Sequence, residues 1–437
     1  MNFIAKFAAA GLLLSPAAVL AQAIDTVASP ITLSEAIMMA QKNSPVAIQA
    51  RGSIRTADAT VKQSYAAFFP SFNLSAGSQR QAGDRFDTQG NLVPFTGSPT
   101  NYSTGLSSTL QIFDGGRRFF DIKRTKADVN AAVAGETVSR FQIALQVKQQ
   151  YYNILAARES ESAANAQLQQ ASEEFKASSA RLRAGAATVS DSLRSLVALG
   201  NARLASLTAE NNLQLANATL TRLVASPQTV TATVSDTIDS QLDIPSLAEL
   251  TPLVERAPEV VQADAQLASA HAGLRSAKTS FLPTVSMNFN RGGSGLDPAF
   301  GLSDKRYAYN QNLSFNMAFP LFNNLNREVN VSRAIIAEDV ADANLRDAKY
   351  LARETLVQSL GQMRTAQEQV AIQVVSVAAA TEDVRVQQKR YELGATTLLD
   401  LLTSQAALDN ARTALIRARY DYRVAKAQLE ALIGRDL

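Results

Sequence analysis

The chain carries one plan twice, and this duplication limits its fold more than any other property. Ser44-Pro45 matches Ala257-Pro258, and Phe69-Pro70 matches Leu282-Pro283, each pair 213 positions apart. Farther along the offset is 209. It sets Ile112-Phe113-Asp114 against Leu321-Phe322-Asn323, and Gly185-Ala186-Ala187-Thr188 against Gly394-Ala395-Thr396-Thr397. Asp191 meets Asp400, and Asn201-Ala202-Arg203 meets Asn410-Ala411-Arg412, at the same offset. The change falls between Pro70 and Phe113, where a loop can absorb it.

The 437 residues would suggest about three domains by length alone. The duplication divides them otherwise: a first repeat over 24–224, an inter-repeat segment over 225–245 and a second repeat over 246–437. Ahead of these, Lys6, the apolar run Phe7–Leu20 and Ala21-Gln22-Ala23 have the pattern of a secretory signal peptide, residues 1–23. Pro16 interrupts that run, and no later stretch approaches the ~18–20 apolar residues of a transmembrane helix.

Each repeat reads in the same order. A short helix (Leu33–Gln41; Leu247–Glu255) stops at a proline that opens a second helix (Pro45–Ala67; Pro258–Ser280). Two strands around a polar loop follow, then a long helix, a Gly turn and a return helix. From Arg117 to Ala184 the only glycine is Gly135, and from Asn323 to Leu393 it is Gly361, with no proline in either stretch. Each can run roughly 100 Å at 1.5 Å per residue. The return helices carry heptad seams: Leu401, Leu408, Leu415, Tyr422 and Leu429, with Ser404, Ala411, Ala418, Ala425 and Leu432 between them. Leu199, Ala202, Ser206, Ala209, Leu213, Ala216, Leu220 and Leu223 repeat the pattern in the first half. Such a stripe, small at one position, pairs helices closely and says nothing of function.

The strands decide the architecture. Hairpins are expected over 71–113 and 283–322. Phe72, Leu74 and Ala76 alternate with polar residues in Ser71–Ala76, and Leu106, Ser108, Leu110 and Ile112 share a face of Thr104–Ile112. Val285, Met287 and Phe289 do so in Thr284–Asn290, as do Leu313, Phe315, Met317, Phe319 and Leu321 in Asn312–Leu321. Period-two alternation at this length fits a soluble half-buried strand, and equally a membrane strand with lipid on one face and a wet lumen on the other. Export, very long helices at one end of both hairpins, and the polar loops Gly83–Pro99 and Gly292–Arg306 favour the membrane. Four strands cannot close alone, and an open edge in lipid strands backbone groups at several kcal/mol each. Two copies would give a filled eight-stranded interior; three would give twelve strands and a lumen. The expected fold is therefore mainly α with transmembrane β: long-helix hairpins forming an α-helical barrel, and four strands per chain in a trimer.

Chemistry is excluded by what is missing. There is no cysteine, so disulfides, thiolate nucleophiles and Cys-ligated metals are ruled out, and His271 is the single histidine. His271 aligns with Asp58 and reads as a solvated surface residue. Gly292-Gly293-Ser294-Gly295 lacks the Lys-Ser/Thr of a phosphate-binding loop and reads as outer loop. With 42 Lys+Arg against 39 Asp+Glu and no like-charge run, nucleic acid is not an expected partner. No enzyme, cofactor or metal site is expected.

At this point the sequence resembles the TolC-like outer membrane factors, exit ducts of tripartite efflux pumps and type I secretion systems. The resemblance spans essentially the whole mature chain. It rests on Phe113-Asp114-Gly115-Gly116-Arg117, its counterpart Phe322-Asn323-Asn324-Leu325-Asn326-Arg327, and Arg390-Tyr391-Glu392-Leu393-Gly394-Ala395-Thr396-Thr397-Leu398-Leu399-Asp400. It implies a homotrimer in the outer membrane of a Gram-negative bacterium, with helices in the periplasm and a belt from about Ala225–Pro245 and the C-terminal end. It implies a closed tip at the turns around Gly185 and Gly394, where a periplasmic adaptor docks. Tyr391 and Asp191 stand at link positions, Asp400 matches a constriction ring, Thr396 replaces an arginine link and Thr403 a second ring aspartate. Transport would be passive, driven by an inner-membrane transporter of the RND, ABC or MFS class. The competing reading is a periplasmic coiled-coil scaffold or adaptor without a pore.

Overall fold

The computed structural model describes residues 28–80, 83–94, 100–233, 244, 246–296 and 307–435. The expected signal peptide, residues 234–243 and 245 of the inter-repeat segment, and residues 95–99 and 297–306 of the strand-linking loops lie outside the described residues. In chain order the first half holds β1 (Ser29–Ile31), α1 (Leu33–Asn43), α2 (Pro45–Ala66), β2 (Ser71–Arg80), β3 (Asp84–Phe86), β4 (Leu92–Pro94), β5 (Thr100–Phe113), α3 (Arg117–Arg183) and α4 (Val189–Val224). Then come β6 (Val230–Ala232), α5 (Leu247–Val254), α6 (Pro258–Lys278), β7 (Thr284–Gly295), β8 (Ala308–Ala318), α7 (Asn326–Glu392) and α8 (Leu398–Ile433). The two long helices are 67 residues each and the two return helices 36 each, so the repeat persists residue for residue.

The main sheet runs β2-β5-β7-β8, antiparallel throughout. Beside it, α3 packs against α2 and α6, and α6 against α7. Helix order α2-α3-α6-α7 therefore copies strand order, because each strand continues the helix next to it in sequence. The result is one wall, four elements wide, half β and half α. Beyond its middle the wall continues as α4-α3-α8-α7. The heptad seam of α4 is the buried one there: Ala202, Ala209, Ala216 and Leu220 all face inward. Helix α8, held between α3 and α7, buries a second stripe (Ile416, Tyr420, Ala427, Ile433) besides Leu401, Leu408, Tyr422 and Leu429.

Among the described residues, the conventional core lies at mid-height, where the short elements fill the junction. One cluster joins α1 (Ala36, Ala40) to Val147, Tyr151 and Ile154 of α3, Leu220 and Val224 of α4, and Val230 of β6. The other joins Leu250 and Val254 of α5 to Leu356, Leu360 and Met363 of α7 and Leu429 of α8. The described part of the inter-repeat segment, β6, pairs in parallel with β1, and the Tyr151 hydroxyl donates to Ile31 O at 3.2 Å.

The strands depart from the sequence reading in three places. The bulge between Gln111 and Phe113 leaves Ile112 unpaired and sets Phe113, not Ile112, beside Val285 on the apolar face. Strand β8 stops at Ala318, since Pro320 has no N–H for the ladder and Arg327 takes the carbonyls of Pro320 and Leu321 at 2.9 and 3.3 Å. Gly292–Gly295, expected as loop, belongs to β7; Gly293 lets the Tyr309 ring lie across the strand where a side chain would collide. Helix α6 ends early, at Lys278, passing into a 3₁₀ turn over Thr279–Phe281 before Leu282-Pro283 forces extended backbone.

Candidate functional site: an unclosed wall and its tip

Among the described residues the sheet has no hydrophobic core on either face. Directly paired residues share a side, so the register writes its two surfaces out as rungs. On one surface lie Phe72, Ser108, Phe289 and Leu313, with Leu110, Met287 and Phe315 on the next rung toward the helices and Phe113, Val285 and Met317 after that. Phe72, Phe315 and Met317 are 69%, 64% and 69% exposed. Toward the far end that surface turns polar-aromatic, with Tyr102, Arg291 and Tyr309. The opposite surface reads Asn73, Ser107, Asn290, Asn312; then Ser71, Thr109, Asn288, Ser314; then Gln111, Ser286, Asn316. An exposed apolar band opposite an uncharged polar face suits lipid on one side and water on the other.

Both edges of the wall are open. Among the described residues, β2 and β8 each have one neighbour. On the edge helix α4, Leu193, Val197, Leu204, Leu207 and Leu215 form a second apolar stripe that none of the described residues covers. On the other edge, α7 exposes Val357, Ile372 and Val375. Strands β2 and β8 run in opposite directions, so β8 of one copy can pair antiparallel with β2 of another.

Sheet and helices meet at duplicated junctions. Arg118, not Arg117, is the counterpart of Arg327: its guanidinium stacks on Phe68 at 4.5 Å and donates to Asp114 at 2.9 Å, Ala67 O at 3.2 Å and Ile112 O at 3.2 Å. Arg327 stacks on Phe281 at 5.0 Å. Asn323 holds the place of Asp114, and Arg327 Nε and Asn323 Oδ1 are buried with no hydrogen-bond partner among the described residues.

At the other end, Gly185 and Gly394 take the left-handed conformation (φ 73° and 72°) that ends α3 and α7. Ala186 N–H donates to Arg181 O and Ala395 N–H to Arg390 O, both at 2.8 Å, closing the same turn twice. Asp191 and Asp400 each complete a capping box. The Thr188 hydroxyl donates to Asp191 at 2.7 Å, and those of Thr397 and Thr396 donate to Asp400 at 2.7 and 2.8 Å. These bonds, the Thr397 hydroxyl first, hold the Asp400 carboxyl below its ordinary value. Thr403 donates back to Leu399 O at 2.9 Å and is exposed on the same face as Asp400.

The structure brings Thr396 to Asp400, while the Tyr391 ring meets the Arg181 guanidinium at 5.1 Å and Asp191 turns to its own cap. Arg181, Thr188 and Thr397 were not anticipated; the Thr-x-x-Asp spacing before each return helix could have revealed the two threonines. His271, expected to be solvated, pairs with Glu338 of α7.

Comparison with known proteins agrees with this geometry. The family model for outer membrane efflux protein matches residues 36–226 and 251–435. The pyoverdine export outer membrane protein OpmQ of Pseudomonas aeruginosa is 25% identical over 389 residues, 87% of this chain and 79% of that protein. Among solved structures, CusC superposes with a TM-score of 0.77 at 18% identity, covering 92% of both chains. The CmeC outer membrane channel of Campylobacter jejuni gives 0.76 at 19% identity, over 92% of this chain and 85% of the other.

Proposed function

The chain belongs to the outer membrane efflux protein family, and from that premise we propose that three copies close into one passive exit duct. It is an outer membrane efflux protein whose helices extend into the periplasm. The observation that carries the proposal is the coincidence of edges. Strand order β2-β5-β7-β8 and helix order α2-α3-α6-α7 match, so one head-to-tail rotation seals both halves of the wall. Three copies supply twelve strands, enough for a water-filled lumen lined by the Asn/Ser/Thr rungs.

Asp400 and Thr403 then line a constriction at the tip, with Asp191, Tyr391 and Thr396 holding neighbouring helix ends together. The turns at Gly185 and Gly394 face a periplasmic adaptor, and an inner-membrane RND, ABC or MFS transporter delivers the cargo. A scaffold without a pore would have no use for the exposed apolar band of the sheet.

Because the chain lacks cysteine, engineered thiols test closure cleanly. With Ser75→Cys on β2 and Asn312→Cys on β8, oxidation is expected to give a covalent ladder ending at three chains. Neighbouring β8 positions serve as register controls. A ladder ending at two or four, or none at any register, overturns the trimer.

A further inference from the structure

Where α2, α3 and α6 leave the sheet, exposed basic side chains collect just below the apolar band. Phe119, Lys123 and Lys126 follow one another at helical spacing along one side of α3. Phe119 is 64% exposed. Lys123 lies 5.7 Å from the centre of the Phe120 ring and Lys126 lies 5.6 Å from that of Tyr65. Arg275 and Lys278 stand on the last turns of α6, just below Phe281 and Leu282, and Lys62 stands beside Tyr65 on α2.

Lys62, Lys123, Lys126, Arg275 and Lys278 are all exposed, and none forms an ion pair among the described residues. Three of the nearby acids are engaged elsewhere, Asp114 with Arg118, Asp121 with Arg117 and Ser276, and Asp128 with Ser269, while Asp58 stands exposed one turn of α2 before Lys62. Lys123 and Arg275 also form opposite lips of a groove of about 490 Å³ between α3 and α6, floored by Ala127, Leu267, Ala268 and Ala272. The groove's acid, Asp264, lies three turns of α6 below Arg275.

Cations stacked on aromatic rings at the end of an apolar band sit where acyl chains give way to headgroups. We infer that this collar binds anionic phospholipid headgroups of the periplasm-facing leaflet, with one phosphate seated between Lys123 and Arg275. The inference rests on the membrane reading of the sheet. It adds a lipid preference and places it at the helix-bearing end, away from the far-end Tyr102 and Tyr309.

The test is native mass spectrometry of the oligomer released from two kinds of nanodisc, phosphatidylcholine alone and phosphatidylcholine mixed with phosphatidylglycerol. The native protein is expected to retain phosphatidylglycerol over phosphatidylcholine by at least about fivefold, the order of one basic side chain's attraction to an anionic surface. The preference should fall as salt rises. The combined change Lys62→Gln, Lys123→Gln, Lys126→Gln, Arg275→Gln and Lys278→Gln should abolish it without changing the oligomer. Equal retention of both lipids by the native protein overturns the collar and leaves the barrel standing. So does a salt-independent preference, or selective retention of lipopolysaccharide. A chain that enters neither bilayer overturns the barrel reading and this inference with it.

Discussion

The Arg118 guanidinium lies over the Phe68 ring at 4.5 Å and is tied at 2.9 Å to Asp114, a carboxylate whose side chain is only 12% exposed. In the second repeat Arg327 keeps the ring contact, Asn323 stands where the first repeat has Asp114, and the acid within reach is the half-exposed Glu328 at 4.0 Å. Arg118→Ala would take the counter-charge from a nearly buried carboxylate, leaving it the N–H groups of Gly116 and residue 118, and Arg327→Ala would not. The first is expected to cost about 2–3 kcal/mol and the second about 1–2. Ranking the two variants by apparent melting temperature in detergent checks this; equal losses would remove Asp114 from the account.

Lys148 and Glu430 join α3 to α8 at 2.6 Å with side chains 13% and 10% exposed. Glu430→Leu alone should destabilise by about 3–5 kcal/mol, because the nearly buried Lys148 ammonium loses this carboxylate. Adding Lys148→Met should restore most of that loss. A double variant no better than the single one would show that other contacts of the pair dominate.

At the tip, charge and helix capping can be separated. Thr397→Ala removes the hydroxyl half of the capping box but keeps the Asp400 carboxylate; Asp400→Ala removes the carboxylate half and its charge but keeps the Thr397 hydroxyl, which still accepts from the N–H of residue 400. If Asp400 lines the constriction, only the second change should weaken cation preference in planar bilayers. Equal effects, matched by Asp191→Ala, would reduce Asp400 to a helix cap.

Gly394→Ala meets open space but must hold φ near 72°. The expected cost is about 1–2 kcal/mol of left-handed strain, confined to the turn between α7 and α8. Faster hydrogen exchange there than in Gly361→Ala, a helical control with equal room, would confirm it.

Two carboxylates should give the stability profile two slopes of opposite sign. Burial raises Asp409 above its ordinary 3.8, with Arg412 opposing, so its charge disfavours the packed state at neutral pH. That penalty is relieved as pH falls through the raised value. Asp400 is lowered, so its contribution is present above 3.8 and is lost as pH falls through its lower folded value. The apparent melting temperature should therefore rise slightly as pH falls from neutrality through the raised Asp409 value and fall again in acid below 3.8. Asp409→Asn should flatten the first slope alone.

Much of the fold was legible because it depends on local pattern. The 67-residue helices follow from the absence of proline, and the sheet's faces follow from alternation in Thr284–Asn290 and its partners. What escaped depends on partners distant in sequence. The bulge at Ile112 is set by pairing with β7, and β1 and β6 are three residues each, joined across two hundred positions of chain. Gly293 read as loop because its reason, the Tyr309 ring, lies on another strand. At the tip, Tyr391 was assigned by resemblance to a polar link, while its partner within the chain is Arg181, a residue of the other repeat.

The rungs on the hydrophilic surface of the sheet, from Ser71 and Gln111 out to Asn101 and Asn310, hold amides, hydroxyls and small residues but no ionisable group. A solute crossing that stretch would feel no fixed field favouring anion or cation. If Asp400 lines the constriction, sorting by sign falls to the opposite extremity, and the strand-lined passage is indifferent to what the machinery upstream has already chosen.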